Sequence, residues 1–282
     1  MKLRIGKIPY ANLFPIFYML EKKCDCSTYE FVEGVPSLLN KMIRDGKIDV
    51  SPSSSIEYIR NPFLYQIIEG NSISSRGPIG SIFLFTKKDI HELNGNIVYV
   101  SSQSETSVAL LNIILKKFYD IQCGIQVSQR PEDSGADAFL LIGDDALRYK
   151  AISNRQEAIG KNIDKHTIHG QLPIVSHQFV YDLGEIWYEK TGLPFVFALW
   201  IARKDMFDKR EILNKFIKDL NKAKEIASKN LYEIARHSPM KEFMSEKEIV
   251  SYWRLIDYDL KAEHKKGLKL FERYLKEVDH VL

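Results

Sequence analysis

The chain contains few of the features that mark secreted, membrane-spanning or nucleic-acid-binding proteins. Cysteine is scarce, with three residues among 282, at positions Cys24, Cys26 and Cys123. An odd number of cysteines without a framework spacing predicts reduced thiols in a cytosolic protein rather than a disulfide scaffold. No apolar run approaches the roughly 18–20 residues that span a bilayer, so we expect no membrane partner.

We also expect no secretory leader at the N-terminus. A strand is predicted at residues 3–8, without a basic region, an apolar core and a cleavage site before it. Together with the reduced cysteines, this absence leads us to expect a soluble, cytoplasmic protein.

Charge of one sign is not concentrated in the chain. The 40 Lys and Arg residues exceed the 37 Asp and Glu residues by three, and the two signs are interleaved over residues 204–282. A nucleic-acid-binding surface clusters basic side chains, so we expect no nucleic-acid partner. The seven histidines show no H-E-x-x-H spacing, and the pair Cys24 and Cys26 has no second pair to complete a metal site.

Motifs for cofactor chemistry and for hydrolysis are absent as well. The chain has no G-x-G-x-x-G, no P-loop and no G-x-S-x-G elbow, which removes support for nucleotide cofactors and for a serine hydrolase. Adjacent Asp144 and Asp145 do not form an acid–base pair, because neighbouring residues of a helix do not face each other. Asp144 is expected to be a helix cap that shapes the site. We therefore expect chemistry without a metal or an organic cofactor.

The chain does contain an alternation of strand and helix signals. The most informative stretch is residues 181–200, where an amphipathic helix ends at a T-G-L-P turn and an apolar strand follows at 195–202. Gly192 supplies the backbone freedom that a helix end needs, and Pro194 stops the helix. A continuous apolar run between turns predicts a strand buried on both faces, as in a parallel sheet covered by helices.

The remaining signals complete two α/β units. Further strands are predicted at 29–33, 48–51, 64–68, 81–86, 96–100, 124–127 and 138–142, and helices at 146–150 and 209–229, whereas polar residues 151–175 are interpreted as a loop or an irregular insertion. A chain that crosses from one unit into another and back indicates a two-lobed, hinge-bending α/β fold with a cleft between the lobes. We predict residues 1–88 plus 203–282 as the first lobe and residues 89–202 as the second.

Five segments place small polar residues at predicted strand ends or helix starts, at 10–12, 53–55, 77–81, 104–107 and 143–144. Backbone N–H groups and hydroxyls at a helix N-terminus attract anions. Two such helix starts facing one cleft can hold a small dicarboxylate without an arginine. The plainer alternative is that each serine only caps its helix and that Asn12 only forms a turn. Both roles can coexist, because a bound carboxylate uses N–H groups that a cap leaves free.

Seven short motifs occur in a fixed order over residues 1–203. They are K-I-P-Y-A-N-L-F-P at 7–15, G-V-P-S-L-L at 34–39, I-D-V-S-P-S-S-S-I-E-Y at 48–58, G-P-I-G-S-I at 77–82, S-E-T-S-V at 104–108, L-L-I-G-D-D-A-L at 140–147 and the run at 181–200. This ordered set resembles the chorismate dehydratase family, which acts first in the futalosine route to menaquinone. The resemblance implies a periplasmic-binding-protein-like fold of type II in a cytoplasmic enzyme.

The resemblance also implies a reaction and the residues that serve it. Chorismate would lose water to give 3-[(1-carboxyvinyl)oxy]benzoate, with the ring C3 proton and the C4 hydroxyl leaving as the ring becomes aromatic. The motifs hold no obvious side-chain base, so we expect the enolpyruvyl carboxylate of the substrate to take the proton. Asn12 and Ser81 are the expected catalytic residues. The expected substrate-binding residues are Ser54, Ser55, Ser104, Thr106, Ser107, Gly143 and Asp144.

Two departures and two alternatives accompany this interpretation. Ala11 stands where the family usually has leucine, and residues 151–180 are longer and more polar than usual. The sister enzyme that makes 1,4-dihydroxy-6-naphthoate shares the fold but differs in its motifs. A solute-binding protein for a small carboxylate is the alternative without catalysis, and it would require export. The sequence carries no signal for an oligomeric state.

Overall fold

The computed structural model describes residues 2–101, 105–160 and 177–279, except for the side chains of residues 156–160, 207 and 279. The described strands are β1 (Leu3–Lys7), β2 (Tyr29–Glu33), β3 (Val50–Ser54), β4 (Tyr65–Ser75), β5 (Ile82–Thr86), β6 (Ile97–Val100), β7 (Gly124–Val127), β8 (Ala138–Ile142), β9 (Phe179–Asp182), β10 (Phe195–Arg203) and β11 (Ile256–Asp257). The described α-helices are α1 (Phe14–Lys23), α2 (Pro36–Arg44), α3 (Ser55–Arg60), α4 (Glu105–Ile113), α5 (Gly143–Gly160), α6 (Leu183–Thr191), α7 (Arg210–Lys229), α8 (Leu231–Ala235), α9 (Glu246–Trp253) and α10 (Ala262–Asp279).

The strands form two sheets, one in each lobe. The order is β11-β4-β10-β3-β1-β2 in the first sheet and β7-β6-β8-β5-β9 in the second. This arrangement confirms the predicted two-lobed α/β architecture. Strand β10 is almost wholly buried, as predicted, but it runs antiparallel to both β3 and β4. The parallel surroundings expected for β10 are therefore wrong, because burial on both faces requires covering layers and does not set strand direction. The alternating strands and helices predict a parallel or mixed sheet, and both sheets are mixed, with β1 parallel to β2 and β3 and β6 parallel to β7 and β8.

The strand pairing moves both lobe boundaries away from the predicted positions at 88 and 203. Strand β5 precedes the first boundary, yet it pairs with β8 and β9 in the second sheet. Strand β10 precedes the second boundary, yet it lies in the first sheet. The chain thus crosses between β4 and β5 and again between α6 and β10. An apolar pattern indicates that a strand is buried, but it does not indicate which sheet the strand joins. For this reason both predicted crossing positions are wrong.

Helix α5 is longer than the sequence analysis expects. It continues to Gly160, so residues 151–160 are helical and not part of a loop. The stretch R-Q-E-A at 155–158 consists of good helix formers, which suits a continuation of the helix. The rest of the expected insertion, residues 161–175, lies outside the described residues.

The C-terminal helices complete the core of both lobes. The predicted apolar face of α7 is confirmed, with Phe216, Leu220, Ala223 and Ala227 all buried, and α7 packs against α1.

Within the described part of the chain, no helix is long and apolar enough to cross a membrane.

Helix α10 joins the two lobes through an aromatic cluster. Trp187 of α6 meets Phe195 of β10 with ring centroids 5.0 Å apart, and Phe195 meets Phe271 of α10 at 4.9 Å. Since α6 packs on β5 and β9 of the second sheet, these three rings belong to different parts of the fold. The lobes therefore share one apolar core on this side of the molecule.

A buried carboxylate fastens the start of β3 to two other elements. The side chain of Asp49 is 3 % exposed and accepts from Arg4 Nη2 at 2.6 Å and from Lys209 Nζ at 2.7 Å. Burial alone raises the pKa of Asp49, but hydrogen bonds from Arg4 and Lys209 outweigh it and hold the pKa below its usual range. The ionised carboxylate thus ties β1, β3 and the start of α7 together.

We expect Asp49→Asn to lower the free energy of unfolding by about 2 kcal/mol at neutral pH, because it removes hydrogen bonds between charged groups. A carboxyl pKa that is lower in the folded state stabilises the fold above the unfolded pKa, and this contribution disappears as the pH falls through the folded pKa. Urea unfolding of the wild type and Asp49→Asn at pH 7 and at about pH 3 tests this. The difference in the free energy of unfolding between the two proteins should be smaller in acid. Glu225→Gln breaks an exposed pair with Lys229 and should change stability little at either pH. A difference that persists in acid would contradict the assignment.

Candidate active site

A narrow cavity of about 70 Å³ lies between the two lobes. Its volume is below the roughly 300–1,000 Å³ of typical ligand sites, so the lobes stand close together around it. Its walls combine apolar side chains with hydroxyl and amide groups, and the described lining includes no charged side chain. The lining residues are Ile8, Tyr10, Asn12, Pro36, Pro52, Ser54, Ile73, Ile79, Ser81, Ile82, Thr106, Ser107, Ile142, Gly143, Phe197 and Ala198.

The cavity collects the five polar segments that the sequence analysis singled out, since each contributes at least one lining residue. Six of the expected site residues line it: Asn12, Ser54, Ser81, Thr106, Ser107 and Gly143. Two others, Ser55 and Asp144, are not part of the lining. Ser104 lies outside the described residues.

The loop that carries Asn12 is held by residues far away in sequence. Trp253 donates its indole N–H to the carbonyl of Ala11 at 2.8 Å, and the hydroxyl of Tyr258 donates to the carbonyl of Asn12 at 2.5 Å. The side-chain oxygen Oδ1 of Asn12 is buried and has no hydrogen-bond partner among the described residues. A buried amide oxygen without a partner is costly unless a ligand satisfies it.

The end of β3 presents Ser54 to the cavity. Asn40 of α2 donates from Nδ2 to Ser54 Oγ at 2.8 Å and accepts from the Ser54 backbone N–H at 3.3 Å. Ser54 occupies the N-cap position of α3, yet its side chain makes no capping hydrogen bond. The cap-only alternative therefore does not describe Ser54.

Ser55 points away from the cavity. Its hydroxyl is fully buried and donates to the carbonyl of Val196 in β10 at 2.6 Å. Ser55 thus fixes α3 to β10, so its expected contact with substrate is replaced by a structural bond. The two neighbouring serines differ because successive side chains leave an extended strand end in opposite directions.

Asp182 shapes the segment that ends in Ser81. Its carboxylate caps α6 by accepting from the N–H groups of Gly184 and Glu185, and it also accepts from Ile79 at 3.1 Å and Gly80 at 2.7 Å. Burial raises the pKa of Asp182, although these four N–H groups act in the opposite direction. The same carboxylate therefore holds both the start of α6 and the turn that delivers Ser81.

The start of α4 reaches across the cleft to the first lobe. Thr106 Oγ1 accepts from the backbone N–H of Ile56 at 3.2 Å, and Glu105 pairs with Arg60. The hydroxyl of Thr106 therefore satisfies one of the unpaired N–H groups at the start of α3. In this arrangement the two lobes touch at the edge of the cavity.

Gly143 begins α5 at a position that requires glycine. Its φ is +60°, and a Cβ there would lie 3.1 Å from Cδ2 and Cε2 of the Tyr10 ring. Both the left-handed backbone and the approach of Tyr10 favour a residue without a side chain. Burial, with Asp145 and Asp144 adding to it, raises the pKa of Tyr10, so its phenol is neutral at pH 7.

Asp144 connects the lobes and does not line the cavity. Its Oδ1 accepts from the backbone N–H of Ala11 at 2.9 Å. Burial raises the pKa of Asp144, and the hydrogen bond from Ala11 opposes the shift only in part. The structure therefore makes Asp144 a support for the Asn12 loop. The expected helix cap is wrong, because α5 begins at Gly143 and Asp144 lies inside its first turn.

The electrostatic character of the cavity comes from helix ends and dipoles. Helices α2, α4 and α5 each place residues of their first turn in the lining, at Pro36, at Thr106 and Ser107, and at Gly143. Unpaired N–H groups and the positive end of the helix dipole favour negative charge at such positions. The arrangement suits an anionic ligand bound through backbone and hydroxyl groups. The described residues include no cluster of three or more His, Cys, Asp or Glu side chains placed for a metal.

Several residues that build the site escaped the sequence analysis. Asp182 had a detectable signal, since an Asp directly before a predicted helix is a standard N-cap. Asn40 gave no signal because it is a single polar residue on the buried face of α2, beside Leu39 and Ile43. Trp253 and Tyr258 carried no local signal, because they reach the Asn12 loop from the opposite end of the chain.

A larger groove lies elsewhere on the first lobe, between α7, α8 and the segment after α9. It contains about 750 Å³. None of the expected site residues lines it, and its rim mixes lysines with carboxylates. It therefore lacks the convergence of helix starts that the inter-lobe cavity has.

The fold is similar to that of solved proteins, among them a periplasmic binding protein. The protein AF1704 of Archaeoglobus fulgidus aligns with a TM-score of 0.74 at 18% identity, covering 100% of this chain and 98% of that one. The periplasmic aliphatic sulphonate binding protein SsuA of Escherichia coli aligns with a TM-score of 0.63 at 15% identity, covering 99% and 93%. These likenesses confirm the expected periplasmic-binding-protein-like fold.

Curated sequences give a closer functional context. The chorismate dehydratase of Thermus thermophilus is 26% identical over 275 residues, which cover 96% of this chain and 94% of that protein. The chorismate dehydratase of Campylobacter jejuni is 26% identical over 232 residues, covering 76% and 73%. A family model described as menaquinone biosynthesis matches residues 3–277. The chain therefore belongs to the menaquinone-biosynthesis family.

Proposed function

We propose that this protein is a hydro-lyase that dehydrates chorismate to 3-[(1-carboxyvinyl)oxy]benzoate. The observation that carries the proposal is the inter-lobe cavity, in which Asn12, Ser54, Ser81, Thr106 and Gly143 converge and whose described lining has no charged side chain. Two relatives named chorismate dehydratase that align over most of the chain support the choice of substrate.

The reaction places modest demands on the protein. The ring C3–H bond breaks, the C4–O bond breaks, and the elements of water leave as the six-membered ring becomes aromatic. Aromatisation supplies the driving force, so the protein must bind two carboxylates and align the departing groups. We propose that the enolpyruvyl carboxylate of the substrate takes the C3 proton, because the lining formed by the described residues offers no carboxylate or imidazole for that task.

Each polar group of the cavity has a proposed role. Asn12 Oδ1, which has no partner among the described residues, orients a hydroxyl or another donor of the reacting ring. Ser81 donates to the leaving C4 hydroxyl. Ser54, Thr106 and Ser107, with the backbone at Gly143 and with Ser104, hold the two carboxylates. Ser55 and Asp144 support these groups from behind and do not contact substrate in this scheme.

The surroundings of the reaction are part of the same proposal. We propose a cytoplasmic enzyme that needs no cofactor and has neither a nucleic-acid nor a membrane partner. Substrate enters when the lobes part about the two crossings between the sheets, one after β4 and one before β10. The contacts of Thr106 with Ile56 and of Asp144 with Ala11 break and re-form in that motion.

A product assay tests the proposal. Purified protein, treated with a chelator, is incubated with chorismate alone, and the products are identified by mass spectrometry. We expect a product lighter than chorismate by one water, with an aromatic ultraviolet spectrum. Unchanged chorismate together with conversion of a cyclised futalosine derivative would assign the chain to the 1,4-dihydroxy-6-naphthoate reaction instead. Tight binding of chorismate without turnover would point to a solute-binding role.

A further inference from the structure

Asn40 lies behind the cavity wall and contacts the cavity-facing serine of β3 without lining the cavity itself. It is 3 % exposed and sits on the buried face of α2, one turn after Pro36, which does line the cavity. Its Nδ2 lies 2.8 Å from Ser54 Oγ, and its Oδ1 lies 3.3 Å from the backbone nitrogen of Ser54. One amide side chain thus engages both the hydroxyl and the backbone N–H of Ser54.

The direction of these two hydrogen bonds follows from the chemistry of the groups. A backbone N–H can only donate, so the Asn40 atom that faces it is the amide oxygen. The other end of the Asn40 side chain is then the NH₂ group, which donates and does not accept. Ser54 Oγ therefore accepts from Asn40, and the proton of Ser54 is left for another partner.

The proton of Ser54 has no acceptor among the described residues. The bond from Asn40 is the one that its hydroxyl makes there, and its side chain does not cap α3. Pro52 and Ser54 both line the cavity, because alternate residues of a strand point to the same side. The cavity is therefore where a partner for the Ser54 proton can bind.

We propose that Asn40 is a positioning residue that orients the Ser54 hydroxyl, so that its proton points into the cavity and donates to a carboxylate of the substrate. This inference rests on the proposed dehydration, in which Ser54 helps to hold the two carboxylates. An ionised carboxylate only accepts hydrogen bonds, so a hydroxyl that presented its lone pairs would repel it. Because Asn40 fixes the hydroxyl before substrate arrives, little orientational freedom is lost on binding.

A double-mutant cycle on Asn40→Leu and Ser54→Ala, with chorismate as the substrate, tests the inference. Ser54→Ala should raise KM about 30-fold, the effect of losing one hydrogen bond to a charged group, and Asn40→Leu should raise it about 10-fold. In both variants kcat should stay within about 3-fold of the wild type, because the carboxylate is bound alike in the ground state and the transition state. The double variant should have the KM of Ser54→Ala within about 2-fold, since no hydroxyl is left to orient.

Asn40→Asp keeps the test decisive if Asn40→Leu does not fold. It preserves the shape of the side chain and an acceptor for the Ser54 backbone N–H, but a carboxylate cannot donate to Oγ. It instead draws the Ser54 proton away from the cavity, so KM should rise by about 10-fold or more. Most of this rise should disappear in the Ser54→Ala background, whereas an effect of the added charge alone would persist there.

Asn71→Leu is the matched control for Asn40→Leu. Asn71 is also buried in the first lobe, and its Nδ2 donates to the carbonyl of Glu69 and to Asn221 Oδ1, away from the cavity. This substitution should lower the melting temperature and leave KM unchanged.

Two results would overturn the inference alone: a folded Asn40→Leu or Asn40→Asp with the KM of an active wild type, or a rise in KM that is as large in the Ser54→Ala background as in the wild type. The second would make Asn40 a support of β3 that acts independently of the Ser54 hydroxyl. A wild-type protein that leaves chorismate unchanged overturns the proposed function and this inference with it.

Discussion

Replacing Asn12 with alanine should lower kcat for chorismate dehydration by about 100- to 1,000-fold, the cost of removing one preorganised polar group from a reaction centre. The side-chain oxygen of Asn12 is buried at the cavity without a partner among the described residues. The loop around it is fixed independently by Trp253, Tyr258 and Asp144. Steady-state kinetics with purified protein measure the effect, and circular dichroism checks the fold.

A second asparagine separates catalysis from stability. Asn71 is buried in β4, where Nδ2 donates to the carbonyl of Glu69 and to Asn221 Oδ1, both at 3.0 Å. Asn71→Ala should destabilise the protein by about 1 kcal/mol and leave kcat as it is. If Asn12→Ala turned over chorismate at the wild-type rate, Asn12 would be only a turn-forming residue.

Replacing Gly267 with alanine should destabilise the whole molecule by about 3 kcal/mol or more, beyond the usual cost of one extra methyl group in a packed core. Gly267 lies inside α10, and a Cβ there would be 2.0 Å from the carbonyl oxygen of Pro194. Helix propensity alone predicts the opposite sign, since alanine stabilises a helix interior by about 1 kcal/mol relative to glycine. The clash outweighs the helix propensity because the obstructing atom is the backbone oxygen of Pro194, just before β10. Urea or thermal unfolding of the wild type and Gly267→Ala shows whether the substitution stabilises or destabilises the protein.

Gly124→Ala provides the comparison for Gly267→Ala. A Cβ at Gly124 would meet Ile97 Cγ1 at 3.4 Å, an ordinary contact. Its effect on stability should stay within about 1 kcal/mol. A stabilised Gly267→Ala would mean that α10 does not pack on the turn before β10 in solution.

The site was predictable where local chemistry determines it. Helix starts and strand ends have recognisable residues, and in a two-lobed α/β fold they meet at the cleft. Asn12, Ser54, Ser81 and Gly143 therefore converge as the sequence indicates. Their roles in binding and catalysis remain proposals.

The rest was not predictable because it depends on contacts between distant parts of the chain. Ser54 and Ser55 are neighbours of the same type, yet one faces the cavity and the other binds β10. Trp253 and Tyr258 support the Asn12 loop from the far end of the chain, and no local pattern announces such a contact. Which sheet β5 and β10 join is likewise decided by tertiary contacts. The predicted lobe boundaries are wrong for this reason.

A crystal structure of the protein with 3-[(1-carboxyvinyl)oxy]benzoate bound would show whether substrate occupies the cavity between the lobes. We expect the ligand there, with its carboxylates on the hydroxyls and backbone N–H groups at the starts of the surrounding helices and its ring beside Asn12 and Ser81. Ligand bound instead in the larger groove beside α7 and α8, with the inter-lobe cavity unchanged, would contradict it.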